Sequence, residues 1–206
     1  MKKESLGILL LIILYSVGVS CMFVPELRSH VLPLSSYTLL ISFLILMGAY
    51  RWKNEVLLAS ALVFGVGFAV EWVGVQTSLL FGDYWYGANL GPKLFNVPLI
   101  IGVNWAMLSA LTSAIGLSLF RNLLFQVIGS ALIMTGVDWL IEPVAIKSDF
   151  WHWKNDIIPV YNFACWFIVS LIANLIFIKV GKPKLNKTAV VLFILLVLFF
   201  TIQLFI

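Results

Sequence analysis

Long apolar runs separated by short polar punctuation extend over the whole chain. Runs of ~17–25 apolar residues span a bilayer when coiled as helices. Seven are read here: Leu6–Val24, Leu34–Tyr50, Val56–Leu80, Val97–Leu119, Leu123–Ile141, Val160–Ile178 and Thr188–Ile206. Between them, Pro25 to Pro33, Arg51 to Glu55, Arg121-Asn122 and Gly181 to Lys187 carry the proline, glycine and charge of loops. Two longer connections, Phe81 to Asn96 and Pro143 to Pro159, are instead rich in Trp, Tyr, Gly, Asp and Pro. No internal repeat or low-complexity segment is evident. The pattern predicts an all-α, polytopic integral membrane protein, a bundle of about seven transmembrane helices forming a single domain over residues 1–206.

Composition agrees. The 206 residues are 62% hydrophobic and 11% charged, against about 25% charged in a soluble domain, so lipid is the expected outer solvent. The formal net charge of +4 has no basic patch apart from the loops and does not point to nucleic acid; it serves instead to orient the chain. With the N-terminus inside, the inner loops hold Lys2, Lys3, Arg51, Lys53, Arg121, Lys179, Lys182, Lys184 and Lys187. The outer loops hold Arg28, Lys93, Lys147 and Lys154. Nine against four puts the N-terminus in the cytoplasm and both aromatic loops outside. Met1-Lys2-Lys3 before an apolar run resembles a signal peptide, but no A-x-A-like site follows, so an uncleaved first helix is expected. Cys21 and Cys165 lie in apolar stretches without metal or redox spacing and read as buried small side chains.

Three carboxylates inside the spans change the picture: Glu71, Asp138 and Glu142. An acid at membrane depth costs ~2.5 kcal/mol or more and usually faces the bundle interior. Glu71 lies about 15 residues, roughly 22 Å, along its helix from Val56, and Asp138 the same distance from Leu123. Both helices run outward, so the two acids reach one level. Glu142 follows Asp138 by one turn on the same face. Asn104 and Asn162, on helices running inward, sit one to two turns below the outer surface. Trp72, Trp105, Trp139 and Trp166 are close by in sequence. The pattern points to an acidic pocket with amide partners and aromatic walls; the competing reading is a structural polar cluster with interfacial tryptophans. Asp83, Asp149 and Asp156 fall in loops, where solvation is the default.

Several chemistries lack their residues. No lysine lies inside a helix for a retinal Schiff base, and His30 and His152 are too few for a di-iron centre. No glycine-rich phosphate turn follows a strand, and Gly65-Val66-Gly67 lies mid-helix, where close packing is the expected use. Aspartate-rich pairs for magnesium are missing. Proton relay remains open, as does acid–base chemistry on a lipid-soluble substrate without a redox cofactor; any added hydroxyl would then come from water.

Ordered blocks carry a resemblance. They are Glu71-Trp72-Val73-Gly74-Val75-Gln76-Thr77, Phe81-Gly82-Asp83-Tyr84-Trp85-Tyr86-Gly87, Leu90-Gly91-Pro92-Lys93-Leu94-Phe95-Asn96-Val97-Pro98-Leu99, Gly102-Val103-Asn104-Trp105, Asp138-Trp139-Leu140-Ile141-Glu142-Pro143-Val144-Ala145, Phe150-Trp151-His152-Trp153 and Ile158-Pro159-Val160-Tyr161-Asn162-Phe163-Ala164-Cys165-Trp166-Phe167. Together they resemble the carotenoid biosynthesis protein family, which includes the CruF-type carotenoid 1',2'-hydratases. The resemblance implies a multi-pass protein of a bacterial or archaeal inner membrane and a substrate such as lycopene or γ-carotene. It implies no cofactor and no metal, and leaves room for a complex with other pathway enzymes. The implied reaction adds water across a terminal double bond and gives a tertiary alcohol. Protonating that alkene needs a carboxyl kept protonated by burial, aromatic faces to stabilise the cation and a polar group to direct the water. Asp138 or Glu71 would be the acid, with the other or Glu142 orienting water and Asn104 and Asn162 fixing the carboxyls. Trp72, Asp83, Tyr84, Trp105, Trp139, Tyr161 and Trp166 would contact the substrate. A cyclase that loses a proton from the same cation, or a carotenoid- or lipid-binding or transport protein, are the alternatives.

Overall fold

The computed structural model describes residues 2–206; Met1 and the side chains of Lys2 and Lys3, which entered the charge count, lie outside the described residues. The helices are α1 (Lys2–Met22), α2 (Pro25–Val31), α3 (Ser35–Ala49), α4 (Asn54–Thr77), α5 (Leu99–Leu119), α6 (Leu123–Lys147), α7 (Val160–Ile176) and α8 (Lys187–Gln203). The short strands are β1 (Tyr84–Tyr86), β2 (Lys93–Leu94), β3 (Val97–Pro98) and β4 (Trp151–Trp153). Six helical stretches are long and apolar enough to cross a membrane, among them Pro25–Ala49 and Val160–Gly181; α8 is apolar but shorter, at 17 residues. The protein is an all-α polytopic membrane protein.

The centre of the bundle is α5. Its apolar window is 78% buried, against 17% for α1, and small side chains explain why. Gly102, Ala106, Ser109, Ala110, Thr112, Ser113, Ala114 and Gly116 let α4, α6, α7, α3 and α8 pack around it. Two boundaries differ from the sequence reading. Pro25 to Pro33, expected as a loop, is helical, because both prolines sit in first-turn positions that need no N–H donor. Helix α6 continues through Pro143 to Lys147, past the expected end at Ile141.

The two aromatic connections meet over one end of the bundle. Strand β1 pairs antiparallel with β4, with Tyr84 opposite Trp153, Trp85 opposite His152 and Tyr86 opposite Trp151. Alternate side chains of a strand face opposite ways. Tyr84, Tyr86 and Trp153 are accordingly buried and Trp151 is half-buried, while Trp85 is exposed. Lys154 holds the ribbon at one edge, its Nζ donating to Asp83 Oδ2 at 2.7 Å. At the other, Asp149 Oδ2 accepts from the Ala88 N–H at 3.0 Å.

Candidate active site

Glu71 is buried, 4% exposed, in the last third of α4. Its Oε2 accepts from the Tyr84 hydroxyl at 2.6 Å and the Tyr86 hydroxyl at 2.8 Å, and its Oε1 from Trp105 Nε1 at 3.0 Å. Two glycines on the same face of α4 make room for these donors. A Cβ on Gly67 would stand 2.4 Å from Trp105 Cγ, and one on Gly74 would stand 2.7 Å from the Tyr84 hydroxyl. Gly65 meets nothing within 4 Å, so of the expected packing glycines here it is Gly67 that packs. Burial first, and the neighbouring Glu71 carboxylate second, push both ribbon phenols well above the ordinary tyrosine range, so both remain protonated donors.

Glu142, on α6, is 1% exposed. Its Oε2 accepts from Trp151 Nε1 at 2.9 Å and Trp153 Nε1 at 2.8 Å, and its Oε1 from Asn162 Nδ2 at 2.9 Å. The same Asn162 nitrogen lies 3.3 Å from Asp138 Oδ2, one turn deeper. Asp138 Oδ1 is buried with no hydrogen-bond partner among the described residues. One ribbon thus supplies both acids: its tyrosines serve Glu71 and its tryptophans serve Glu142.

Between the acids lies a cavity lined by Glu71, Glu142, Asn104, Asn162, Phe81, Tyr84, Tyr86, Ile101, Trp105, Trp151, Trp153 and Trp166. Trp105 and Trp166 stack in its wall, with ring centroids 4.1 Å apart and planes 13° apart. Phe81 is 6.4 Å from the Trp166 ring. Its free volume is about 20 Å³, room for a water but little more. That is smaller than the end group of a carotene, and the inward ribbon side chains Tyr84, Tyr86, Trp151 and Trp153 take up part of its lining.

The residues named from sequence separate into two groups. Glu71, Glu142, Asn104, Asn162, Tyr84, Trp105 and Trp166 converge on the cavity, whereas Asp138 stands behind Glu142 and does not line it. Trp72 is 44% exposed and packs on Phe95, and Trp139 is 65% exposed. Each follows a buried acid directly, and consecutive helical residues point about 100° apart, so these two indoles face outward. Tyr161 is also exposed, its hydroxyl donating to the Leu79 carbonyl at 2.9 Å, and Asp83 is occupied by Lys154. Sequence reasoning missed Tyr86, Trp151, Trp153 and Phe81. The signal was present in the i, i+2 spacing of Tyr84/Tyr86 and of Trp151/Trp153, which in a strand turns both members of each pair to one face. Among the described residues no group of three or more His, Cys, Asp and Glu side chains is arranged to hold a metal ion.

Comparison with known proteins adds to this geometry. The chain is 26% identical over 123 residues to the bisanhydrobacterioruberin hydratase of Haloarcula japonica. The match takes in 53% of this chain and 40% of that protein, so the chain spans less than half of its relative's length. No solved structure matches the chain. The profile of the carotenoid biosynthesis proteins matches residues 31–206, which include every element of the ribbon and both cavity-lining acids, and the chain belongs to the carotenoid biosynthesis protein family.

Proposed function

We propose that this chain is a cofactor-independent carotenoid hydratase, adding water to the terminal double bond of a ψ-end group on an acyclic or monocyclic carotene. Membership of the family and similarity to a hydratase support the reaction class. The mechanism rests on one observation: carboxyl groups from two helices, Glu71 and Glu142, face a single water-sized cavity walled by aromatic rings.

The donors divide the roles. Indole N–H groups only donate, so Glu142 Oε2, held by Trp151 and Trp153, is committed as an acceptor. A phenol both donates and accepts, so Glu71 Oε2 can carry a proton and still bond Tyr84 or Tyr86. Glu71 is accordingly the acid and Glu142 the base. Glu71 gives its proton to the less substituted alkene carbon, leaving a tertiary cation between the Trp105–Trp166 stack and Phe81; a cation over a desolvated indole is stabilised by ~2 kcal/mol or more. The water held by Glu142, Asn104 and Asn162 forms the new C–O bond and passes a proton to Glu142. Return of that proton to Glu71 through the cavity closes the cycle, with a net gain of one H₂O. Asp138 acts through Asn162 by fixing Glu142, and so is a positioning residue. A cavity with room for a water beside the Asn104 amide favours addition of water over loss of a proton.

Nine loop cations against four support a cytoplasmic N-terminus with the ribbon on the outer face; a bacterial or archaeal inner membrane and a single domain over residues 1–206 are part of the same proposal. The test is expression in cells that make lycopene, followed by mass analysis of the extracted pigment. A gain of one water per reacted end is expected. Unchanged mass with a shifted spectrum would instead indicate a cyclase, and unchanged pigment a binding protein.

A further inference from the structure

At the end of the bundle away from the ribbon, the α3–α4 turn and the α7–α8 linker face each other across a cleft of about 480 Å³, within the size range of ligand sites. The turn contributes Arg51 and Lys53 and the linker Lys182 and Lys184, with Glu55 as the one carboxylate in the lining. Loop cations are expected on one face of a membrane protein for orientation alone, and scattered over a solvated surface they form no site. Here the backbone gathers them. Arg51, Trp52 and Lys182 take φ values of 58°, 52° and 45°, folding both segments back on themselves. The Lys182 N–H donates to the Phe177 carbonyl at 2.7 Å, closing a wide turn over Phe177–Gly181. A Cβ on Gly181 would stand 3.0 Å from Ala59 Cβ, so the linker lies directly on α4. Among the described residues none of the four cations forms an ion pair.

The second observation is an orphan donor. Tyr50 lines the same cleft, is only 6% exposed, and its hydroxyl has no hydrogen-bond partner among the described residues. Buried hydroxyls are normally partnered, and an exception calls for an explanation. A phosphate supplies one when the Tyr50 ring turns its closed-off hydroxyl toward the cleft, since phosphate oxygens accept from a guanidinium, from ammonium groups and from a phenol together.

We propose that this cleft binds the phosphate of an anionic phospholipid headgroup, independently of the reaction at the ribbon end. The location favours a lipid: the cleft opens where α4 begins and where the α7 span ends, the level at which headgroups lie, and basic pockets at such positions attract anionic lipids. A free phosphate or diphosphate would meet the same groups, and the experiment separates the two. The full chain in detergent is mixed with phosphatidylglycerol, phosphatidylcholine, inorganic phosphate or inorganic diphosphate, and retained ligand is read by native mass spectrometry. Wild type is expected to retain phosphatidylglycerol over phosphatidylcholine. Retention falls roughly thirtyfold in Lys53→Ala/Lys184→Ala, at about fivefold per surface cation, and recovers in Lys53→Arg/Lys184→Arg. Tyr50→Phe lowers it about threefold, near the effect of one hydrogen bond. Arg121→Ala, a cation outside the cleft, leaves it unchanged. Equal retention by wild type and Lys53→Ala/Lys184→Ala overturns the proposal, as does retention of diphosphate or phosphate without phosphatidylglycerol.

Discussion

Helices α5, α6 and α7 carry two buried polar clusters at different depths, and the two differ in what they leave open. In the deeper one, Asn174 is saturated. Its Oδ1 accepts from Thr112 at 2.8 Å and Ser113 at 2.7 Å, and its Nδ2 donates to the Ser170 carbonyl at 2.9 Å and reaches Met134 Sδ at 3.6 Å. An amide has two acceptor and two donor sites, and all four are used among apolar neighbours. This cluster contains no acid and ties three helices together, as interhelical hydrogen bonds do in membranes. The cluster at the ribbon end is built the other way. It concentrates three acids, brings donors from outside the helices to satisfy Glu71 and Glu142, and among the described residues leaves Asp138 Oδ1 without a partner behind a water-sized cavity that Asn104 lines. A saturated amide ties a bundle together, and the Ser170 hydroxyl beside it, though unpartnered among the described residues, lines neither the cavity nor the cleft; an unsatisfied acid beside a cavity has capacity left for chemistry.

Substitutions at matched positions sharpen that contrast. The largest effect is expected from Glu71→Gln and Glu142→Gln, which keep shape but remove proton exchange: turnover falls ~10²–10⁴-fold in each, at unchanged levels of membrane-inserted protein by immunoblot. If either variant kept near-wild-type turnover, the assigned pairing would be wrong. Asp138→Asn, acting only through Asn162, should cost up to about tenfold, less than either cavity acid, consistent with the loss of one hydrogen bond at ~0.5–1.5 kcal/mol.

Asn174→Ala tests the other half of the comparison. It leaves Thr112 and Ser113 to fall back on the Leu108 and Asn174 backbone carbonyls and should cost ~1–3 kcal/mol of stability, seen as a lower melting temperature in detergent with turnover per folded molecule unchanged. Gly67→Ala should lower both stability and activity. Its added methyl meets Trp105, and overpacking of this kind costs ~1–3 kcal/mol; activity should fall as well, because Trp105 holds Glu71. The smallest effect belongs to pH. Both ribbon phenols have their pKa raised, so they bind the proton more tightly folded than unfolded. Their contribution is complete below about pH 10 and is lost only above it. No loss of activity from Tyr84 or Tyr86 is therefore expected on raising the pH to about 10.

Much of this was legible in the residue order, for definite reasons. Counting rises along α4 and α6 was enough to bring Glu71 to the level of the α6 acids, because helix rise is constant. The same counting matched Glu71 to Asp138, about 15 residues along each helix, whereas the cavity takes Glu142, one turn further on. Proximity in sequence misled for Trp72 and Trp139, which sit about 100° round the helix from the acids they follow and turn out to be exposed. The true wall, Trp151 and Trp153, sits in what hydropathy marks only as a loop. Its strand character depends on pairing with Tyr84–Tyr86, more than sixty residues away, a long-range fact that local pattern does not carry.

The direct test of a water held between Glu71 and Glu142 is isotopic. Membranes containing the chain are incubated with an acyclic carotene in ¹⁸O-enriched water under ordinary dioxygen, and the product is weighed by mass spectrometry. One ¹⁸O per new hydroxyl is expected from wild type, and no hydroxylated product from Glu71→Gln or Glu142→Gln. A hydroxyl carrying unlabelled oxygen, or labelled product formed equally by both variants, would contradict it.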